Sequence, residues 1–243
     1  MSEKGRLAAD LRPRLSRVLA KGLSNDPAEH AGQVAEIAGI LSDALGSHGF
    51  TVTLVGGSAI EVHAPGIYMS GDIDVVVEKS VAATADRDEV FRSLGLERIG
   101  KHWRKGDLFI ETVPGPVAGP TEEVDVGGAT FRVVRKEVLL RDRIVGFKHW
   151  RHTAYGDQAI AMLVAFGEDL DMEWLDPELA QEAAGDALQV LRKLAESLTP
   201  VTHERLLGVI DDLHRSQGTS DGSAPLGHRA HPSGREQRDI DDK

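Results

Sequence analysis

Twenty-nine residues, Phe50 to Glu78 (FTVTLVGGSAIEVHAPGIYMSGDIDVVVE), constrain this chain more than any other stretch. An apolar run, Val52 to Val55, halts at Gly56-Gly57-Ser58. A short amphipathic segment and a turn around Pro65-Gly66 follow, and Asp72-Ile73-Asp74 then opens a second β-branched run, Val75 to Val77. The pattern reads as strand, glycine turn, short helix, loop, strand. Two glycines at a strand end let the backbone approach a ligand without obstruction by Cβ. A serine ahead of a helical segment offers a hydroxyl and free N–H groups where phosphate binds well. Side chains alternate along a strand, so Asp72 and Asp74 share one face, about 7 Å apart, with Ile73 on the other. Such a pair can share hard cations such as Mg²⁺. Each motif alone is weak, since Gly-Gly-Ser is commonly a turn and acidic pairs at strand starts are commonly solvated. In this order, each beside its own apolar strand, they indicate a phosphate cradle next to a metal platform.

Gly56-Gly57-Ser58, followed fourteen residues after the serine by Asp72-x-Asp74, resembles the signature of the nucleotidyltransferase superfamily that shares its fold with DNA polymerase β. GGSAIEVHAPGIYMSGDIDVVVE is more closely similar to a group of uncharacterised bacterial and archaeal nucleotidyltransferase-like proteins, some of whose relatives are toxins of abortive-infection systems. The similarity covers roughly Val52 to Leu163 and is most specific in its first two motifs. It implies an α/β (α+β) fold: a mixed or antiparallel central sheet flanked by helices, with a C-terminal helical lobe. It also implies transfer of a nucleoside monophosphate from an NTP to an acceptor hydroxyl. Mg²⁺ is the expected cofactor, with Mn²⁺ as the alternative, and the acceptor is a small molecule, a tRNA end or a protein. The alternative expectation is a nucleotide-binding or toxin–antitoxin-type regulatory protein that keeps the fold without the chemistry, because folds host inactive members.

Composition narrows the partners. The 243 residues are 41% hydrophobic and 28% charged, enough chain and apolar content for a sizeable core. No run approaches a membrane span, and the first residues lack the apolar core of a signal peptide, so a cytoplasmic protein without membrane partners is expected. With no cysteine, disulfides, thiolate metal sites and cysteine nucleophiles are excluded. The net charge of −11 argues against tight, sequence-independent binding to long nucleic acid, which needs many Lys and Arg contacts to phosphate.

Four segments are expected: N-terminal helices (1–49), a sheet core (50–134), a helical lobe (135–215) and a disordered tail (216–243) poor in large apolar residues. Leu7 to Leu23 reads as a helix interrupted by Pro13. A second helix begins after Ser24-Asn25-Asp26-Pro27, with Val34, Ile37, Ile40, Leu41 and Leu45 as its stripe. Ala85 to Leu94 reads as a helix, Arg98 to Trp103 and Asp107 to Val113 as one hairpin, and Glu122 to Val126 with Ala129 to Val134 as another around Gly127-Gly128. Helices follow over Lys136–Arg151, Asp157–Phe166, Asp176–Leu198 with Asp176 as its cap, and Val201–His214.

Glu111 sits inside an apolar strand, where a charge is costly without a partner. A metal shared with Asp72 and Asp74 would satisfy it, as would an ion pair with Arg104 or Arg132, or exposure at the strand end. The resemblance implies a third carboxylate from a strand placed like this one, which selects Glu111, with Asp107 and Asp125 as alternatives. It likewise implies a basic residue on a later helix facing the nucleotide phosphates. By spacing, Arg143 takes that position in place of the more usual lysine, Asp157 is the acidic residue downstream, and Lys148 lies one to two turns away. The expected site is therefore Asp72, Asp74 and Glu111 as catalytic metal ligands, with Gly56, Gly57, Ser58, Arg143 and Lys148 on the nucleotide.

Overall fold

The computed structural model describes residues 3–81, 83, 85–197 and 201–217. Two helices, α1 (Glu3–Val18) and α2 (Pro27–Gly46), lead into β1 (Phe50–Val55), α3 (Gly56–His63) and β2 (Ile73–Lys79). After α4 (Arg87–Ser93) come β3 (Glu97–Ile99), β4 (His102–Lys105), β5 (Leu108–Val113), β6 (Thr121–Val126) and β7 (Ala129–Val134). The chain is then helical: α5 (Lys136–His149), α6 (Thr153–Phe166), a short 3₁₀ turn, α7 (Met172–Gln181), α8 (Gly185–Ala195) and α9 (His203–Gln217). The seven strands form one mixed sheet in the order β3-β4-β5-β2-β1-β7-β6, with β1–β7 and β2–β5 parallel and the other neighbours antiparallel.

Register divides the sheet into two faces of opposite character. Leu54 lies opposite Val75, Ile73 opposite Ile110, and Ile110 opposite Trp103, so one face is a continuous apolar layer across four strands. The long helix α2 packs on β1 and β7, with Val34, Ile37, Ile40, Leu41 and Leu45 all buried as their spacing requires. Asp26 caps this helix by accepting from the Ala28 and Glu29 N–H groups, and Pro27 supplies a first-turn residue that has no N–H to satisfy. At the β4 side, Phe91 of α4 stacks on Trp103 with centroids 4.8 Å apart. Because side chains alternate, the neighbouring residues Val55, Asp74, Glu111 and His102 all project from the other face.

Several boundaries differ from the sequence reading. Pro13 lies within α1, which ends at Val18 rather than Leu23. The strand expected over Arg98–Trp103 is two strands, because Gly100 adopts φ +61° and turns the chain through Gly100-Lys101. The helix expected over Asp176–Leu198 is also two: Ala183 (φ +50°) ends α7, and α8 starts at Gly185. Asp171, not Asp176, caps α7 by accepting from the Trp174 N–H, leaving Asp176 and Pro177 inside the helix. Leu198 and nearly all of the segment 216–243 lie outside the described residues; only 216–217 are described, as the end of α9. Among the described residues, no helix is long and apolar enough to cross a membrane.

Candidate active site

One transverse row of the sheet brings the acidic residues together. In register, Val55 of β1 faces Asp74 of β2, Asp74 faces Glu111 of β5, and Glu111 faces His102 of β4. Neighbouring strands stand about 4.8 Å apart, so the side chains of one row on one face are in contact range. Asp72 joins from the residue just before β2 rather than from within it. The result is three carboxylates and an imidazole clustered on a mostly buried patch: Glu111 is 6% and His102 8% exposed at the side chain, and Asp72 30%. One ligand atom each from Asp72, His102 and Glu111 lies within 4.8 Å of the others.

Burial beside like charges has an electrostatic cost for Asp74. Burial, reinforced by the charges of Asp72 and Glu111, pushes its carboxyl up to about 7, against the opposing pull of Arg143 and Lys101. Tyr68 is pushed upward by burial, and the Asp72 and Asp74 charges add to this while Arg143 opposes it. Arg143 on α5 thus reaches the cluster electrostatically from the adjoining helical layer. Its Nε donates to Gln158 Oε1, and its guanidinium lies 4.7 Å from the Tyr155 ring centroid. Trp150, at the end of the same helix, is half exposed and 6.3 Å from that ring.

The glycine corner is fitted to the acids by contact. Gly56 adopts φ +66°, and a Cβ there would lie 2.3 Å from Asp74 Oδ2. A Cβ on Gly57 would lie 2.5 Å from the Tyr68 ring. Residue 56 must therefore be glycine on two counts, a left-handed backbone and an approach no side chain permits. Helix α3 starts there with no side-chain cap, leaving its first N–H groups free of one. Ser58 departs from its expected role. It is fully buried, and its hydroxyl donates to the Val55 carbonyl while accepting from the Asp74 N–H. These two bonds fix Asp74 on the turn.

Lys148 also departs. It is fully buried, and its ammonium donates to Asp186 Oδ1 and the Ala183 carbonyl, tying α5 to the α7–α8 break. Among the described residues, the side-chain partners of Lys148 are Ala183 and Asp186, away from the acidic row. Asp157 lies on α6, where partial desolvation pushes its carboxyl upward against the opposing charge of His203. The alternatives to Glu111 lie elsewhere too. Asp125 accepts from Gly128 N–H and the Thr130 hydroxyl at the β6–β7 turn, and Asp107 lies beside Gly22.

Three contributors escaped the sequence reading. Lys101 donates to both Glu111 oxygens, at 2.8 and 2.7 Å, taking the ion-pair role considered for Arg104 or Arg132. His102 Nε2 lies 3.3 Å from Glu111 Oε2 and 3.8 Å from Asp72 Oδ2. Both were hidden because Arg98–Trp103 reads as one strand; the Gly100 turn is the signal that would have placed them. Third, a buried hydrogen bond between His30 Nδ1 and Glu61 anchors the loop that carries Asp72, because the other Glu61 oxygen accepts from the Ser70 N–H at 3.2 Å. A separate cavity of about 580 Å³ lies at the far end of α3, lined by His63, Arg135, Lys136, Glu137 and Asp171 among others, and shares no lining residue with the acidic row.

No family model matches the chain, and neither the curated proteins nor the solved structures yield a match.

Proposed function

We propose that the chain is a divalent-cation-dependent nucleotidyltransferase that moves a nucleoside monophosphate from an NTP to an acceptor hydroxyl. The observation that carries this reading is the join between the acidic row and the glycine corner, where Gly56 abuts Asp74 without room for a methyl group. Phosphate-binding backbone and cation-binding carboxylates are thereby held edge to edge. The residues fit a divalent cation: three carboxylates and an imidazole share one patch, and burial together with the charges of Asp72 and Glu111 raises the Asp74 carboxyl to about 7, which a bound cation would relieve. Asp72, Asp74 and Glu111 would hold it, and it would supply charge neutralisation at the triphosphate.

The chain's own groups account for the remaining steps. The first N–H groups of α3, at Gly56 and Gly57, orient the β- and γ-phosphates, aided by the helix dipole. The hydroxyl oxygen of the acceptor bonds to the α-phosphorus, the bond from that phosphorus to the β-bridging oxygen breaks, and pyrophosphate leaves in line. The hydroxyl proton passes to a carboxylate of the row, where the register sets Glu111 beside Asp74. Arg143 offsets negative charge on the departing pyrophosphate. A second reading, a nucleotide-binding protein without turnover, is favoured by one observation: Lys101 already neutralises both oxygens of Glu111.

Incubation of the purified chain with each α-labelled NTP, a divalent cation and cell extract separates the two. Label transferred covalently to an acceptor, with pyrophosphate released and both lost in Asp74→Asn, supports the enzyme. Retained but unreacted nucleotide would leave the binding reading in its place.

A further inference from the structure

We propose that the imidazole of His102 joins the carboxylates of the acidic row as a ligand, completing with Asp72 and Glu111 a mixed oxygen–nitrogen set beside Asp74, and that this set selects a first-row transition cation such as Mn²⁺ over Mg²⁺. The proposal rests on the row being a cation site, as argued above, and adds which cation it takes and why.

The geometry begins with register. His102 is the direct neighbour of Glu111 across β4–β5, on the same face as Asp74. Its side chain is more than nine-tenths buried, and Nε2 points between two carboxylate oxygens, at 3.3 Å from Glu111 and 3.8 Å from Asp72. The Phe109 ring meets the imidazole edge-on at 6.2 Å and holds its plane. The donor atoms of the three residues lie within 4.8 Å of one another. Around an octahedral ion with bonds of about 2.1 Å, adjacent ligands sit about 3 Å apart and opposite ones about 4.2 Å, so small side-chain movements close the three onto one ion. Mg²⁺ prefers oxygen donors and water, whereas imidazole suits the first-row transition metals. An all-carboxylate row would favour Mg²⁺; replacing one oxygen donor with a buried imidazole shifts the preference.

The competing explanation is that His102 is a cation itself, a charged partner for two acids. The two explanations differ in sign. Removing a ligand weakens cation binding, and removing a resident positive charge strengthens it. Lys101 supplies an internal standard, since its ammonium spans both Glu111 oxygens, at 2.7 and 2.8 Å, from a side chain 52% exposed. A cation bound at Glu111 must displace it.

The test is a Mn²⁺ titration of the full chain without nucleotide, followed by the electron paramagnetic resonance of free Mn²⁺, with Mg²⁺ as competitor. His102→Asn is expected to weaken Mn²⁺ binding by at least about tenfold while changing Mg²⁺ affinity little, so that the wild-type preference disappears. Lys101→Met, with its fold checked by circular dichroism, is expected to tighten Mn²⁺ binding. Unchanged or tighter Mn²⁺ binding in His102→Asn overturns the donor set. Unchanged binding in Lys101→Met also overturns it, because the ion then does not sit at Glu111. A wild type that binds Mn²⁺ with the expected variant pattern yet transfers no nucleotide would sink the enzymatic reading and leave the donor set standing.

Discussion

Asp74→Asn is expected to stabilise the metal-free protein at neutral and alkaline pH while removing nucleotidyl transfer. The unfolded chain ionises Asp74 near 3.8, and the folded chain near 7. A carboxyl whose folded pKa is raised binds its proton more tightly in the native state, so stability falls as pH rises between those two values. The penalty is absent well below 3.8 and complete above about 7. At about 1.4 kcal/mol per pH unit, the full displacement has a ceiling of roughly 4 kcal/mol, and solvent screening of this part-buried group brings it to about 2 kcal/mol. Amide nitrogen carries no charge and escapes the penalty. For a chain of this size, about 2 kcal/mol corresponds to roughly 4–8 °C in melting temperature. Thermal melts of wild type and variant in chelator should show the variant more stable at pH 8, with the gap narrowing by about half or more toward pH 5. A divalent cation should then raise the melting temperature of the wild type more than that of the variant. Parallel curves across this pH range, or a variant less stable at pH 8, would refute the reading of the row as crowded, uncompensated charge.

Gly56→Ala combines a left-handed backbone with a methyl group that would lie 2.3 Å from Asp74 Oδ2, so a loss of roughly 2–4 kcal/mol in denaturant unfolding is expected together with displaced cation binding. Lys148 and Arg143 should separate cleanly. Lys148→Ala is expected to cost about 2–4 kcal/mol of stability, through loss of the buried contacts to Asp186 and the Ala183 carbonyl, with turnover per folded molecule unchanged. Arg143→Ala is expected to raise KM for the triphosphate by at least about tenfold, and a KM within twofold of wild type would remove Arg143 from the site.

What the sequence made legible was local, and what it hid depended on register. The glycine corner could be read because strand, Gly56-Gly57-Ser58 and helix are contiguous and each has its own signature. The role of Ser58 could not. The same sequence suits a serine facing a ligand and one whose hydroxyl bridges Val55 and Asp74, and only the pairing of β1 with β2 decides between them. Glu111 stands out in sequence as a charge inside an apolar run, and the resemblance singles it out as the third carboxylate. Its true counter-ion Lys101 was missed because one glycine conformation turns an apparent strand into a hairpin. Lys148 shows the opposite error. A cation on a helix one to two turns from Arg143 suggests a shared face, yet the long apolar stem lets it bury its head against Ala183 and Asp186.

The two faces of the sheet explain why the candidate site lies where it does. On one face Leu54, Val75, Ile110 and Trp103 continue a single apolar layer across β1, β2, β5 and β4. On the other face, the neighbouring row on the same four strands contains Asp74, Glu111 and His102 in succession. A sheet covered on both faces for stability alone would fill that row with Val or Ile, because each buried charge costs several kcal/mol unless paired. Here only partial pairing is supplied: Lys101 serves Glu111 from an exposed position, and Arg143 and Lys101 offset Asp74 without restoring an ordinary carboxyl. The buried His30–Glu61 pair and the Ser58 hydroxyl, by contrast, are matched, and they fix the loop and the turn that aim Asp72 and Asp74. A scaffold whose supports are paired, and whose Asp74 is held well above an ordinary carboxyl, has the energetic form of a site able to receive positive charge from outside the chain.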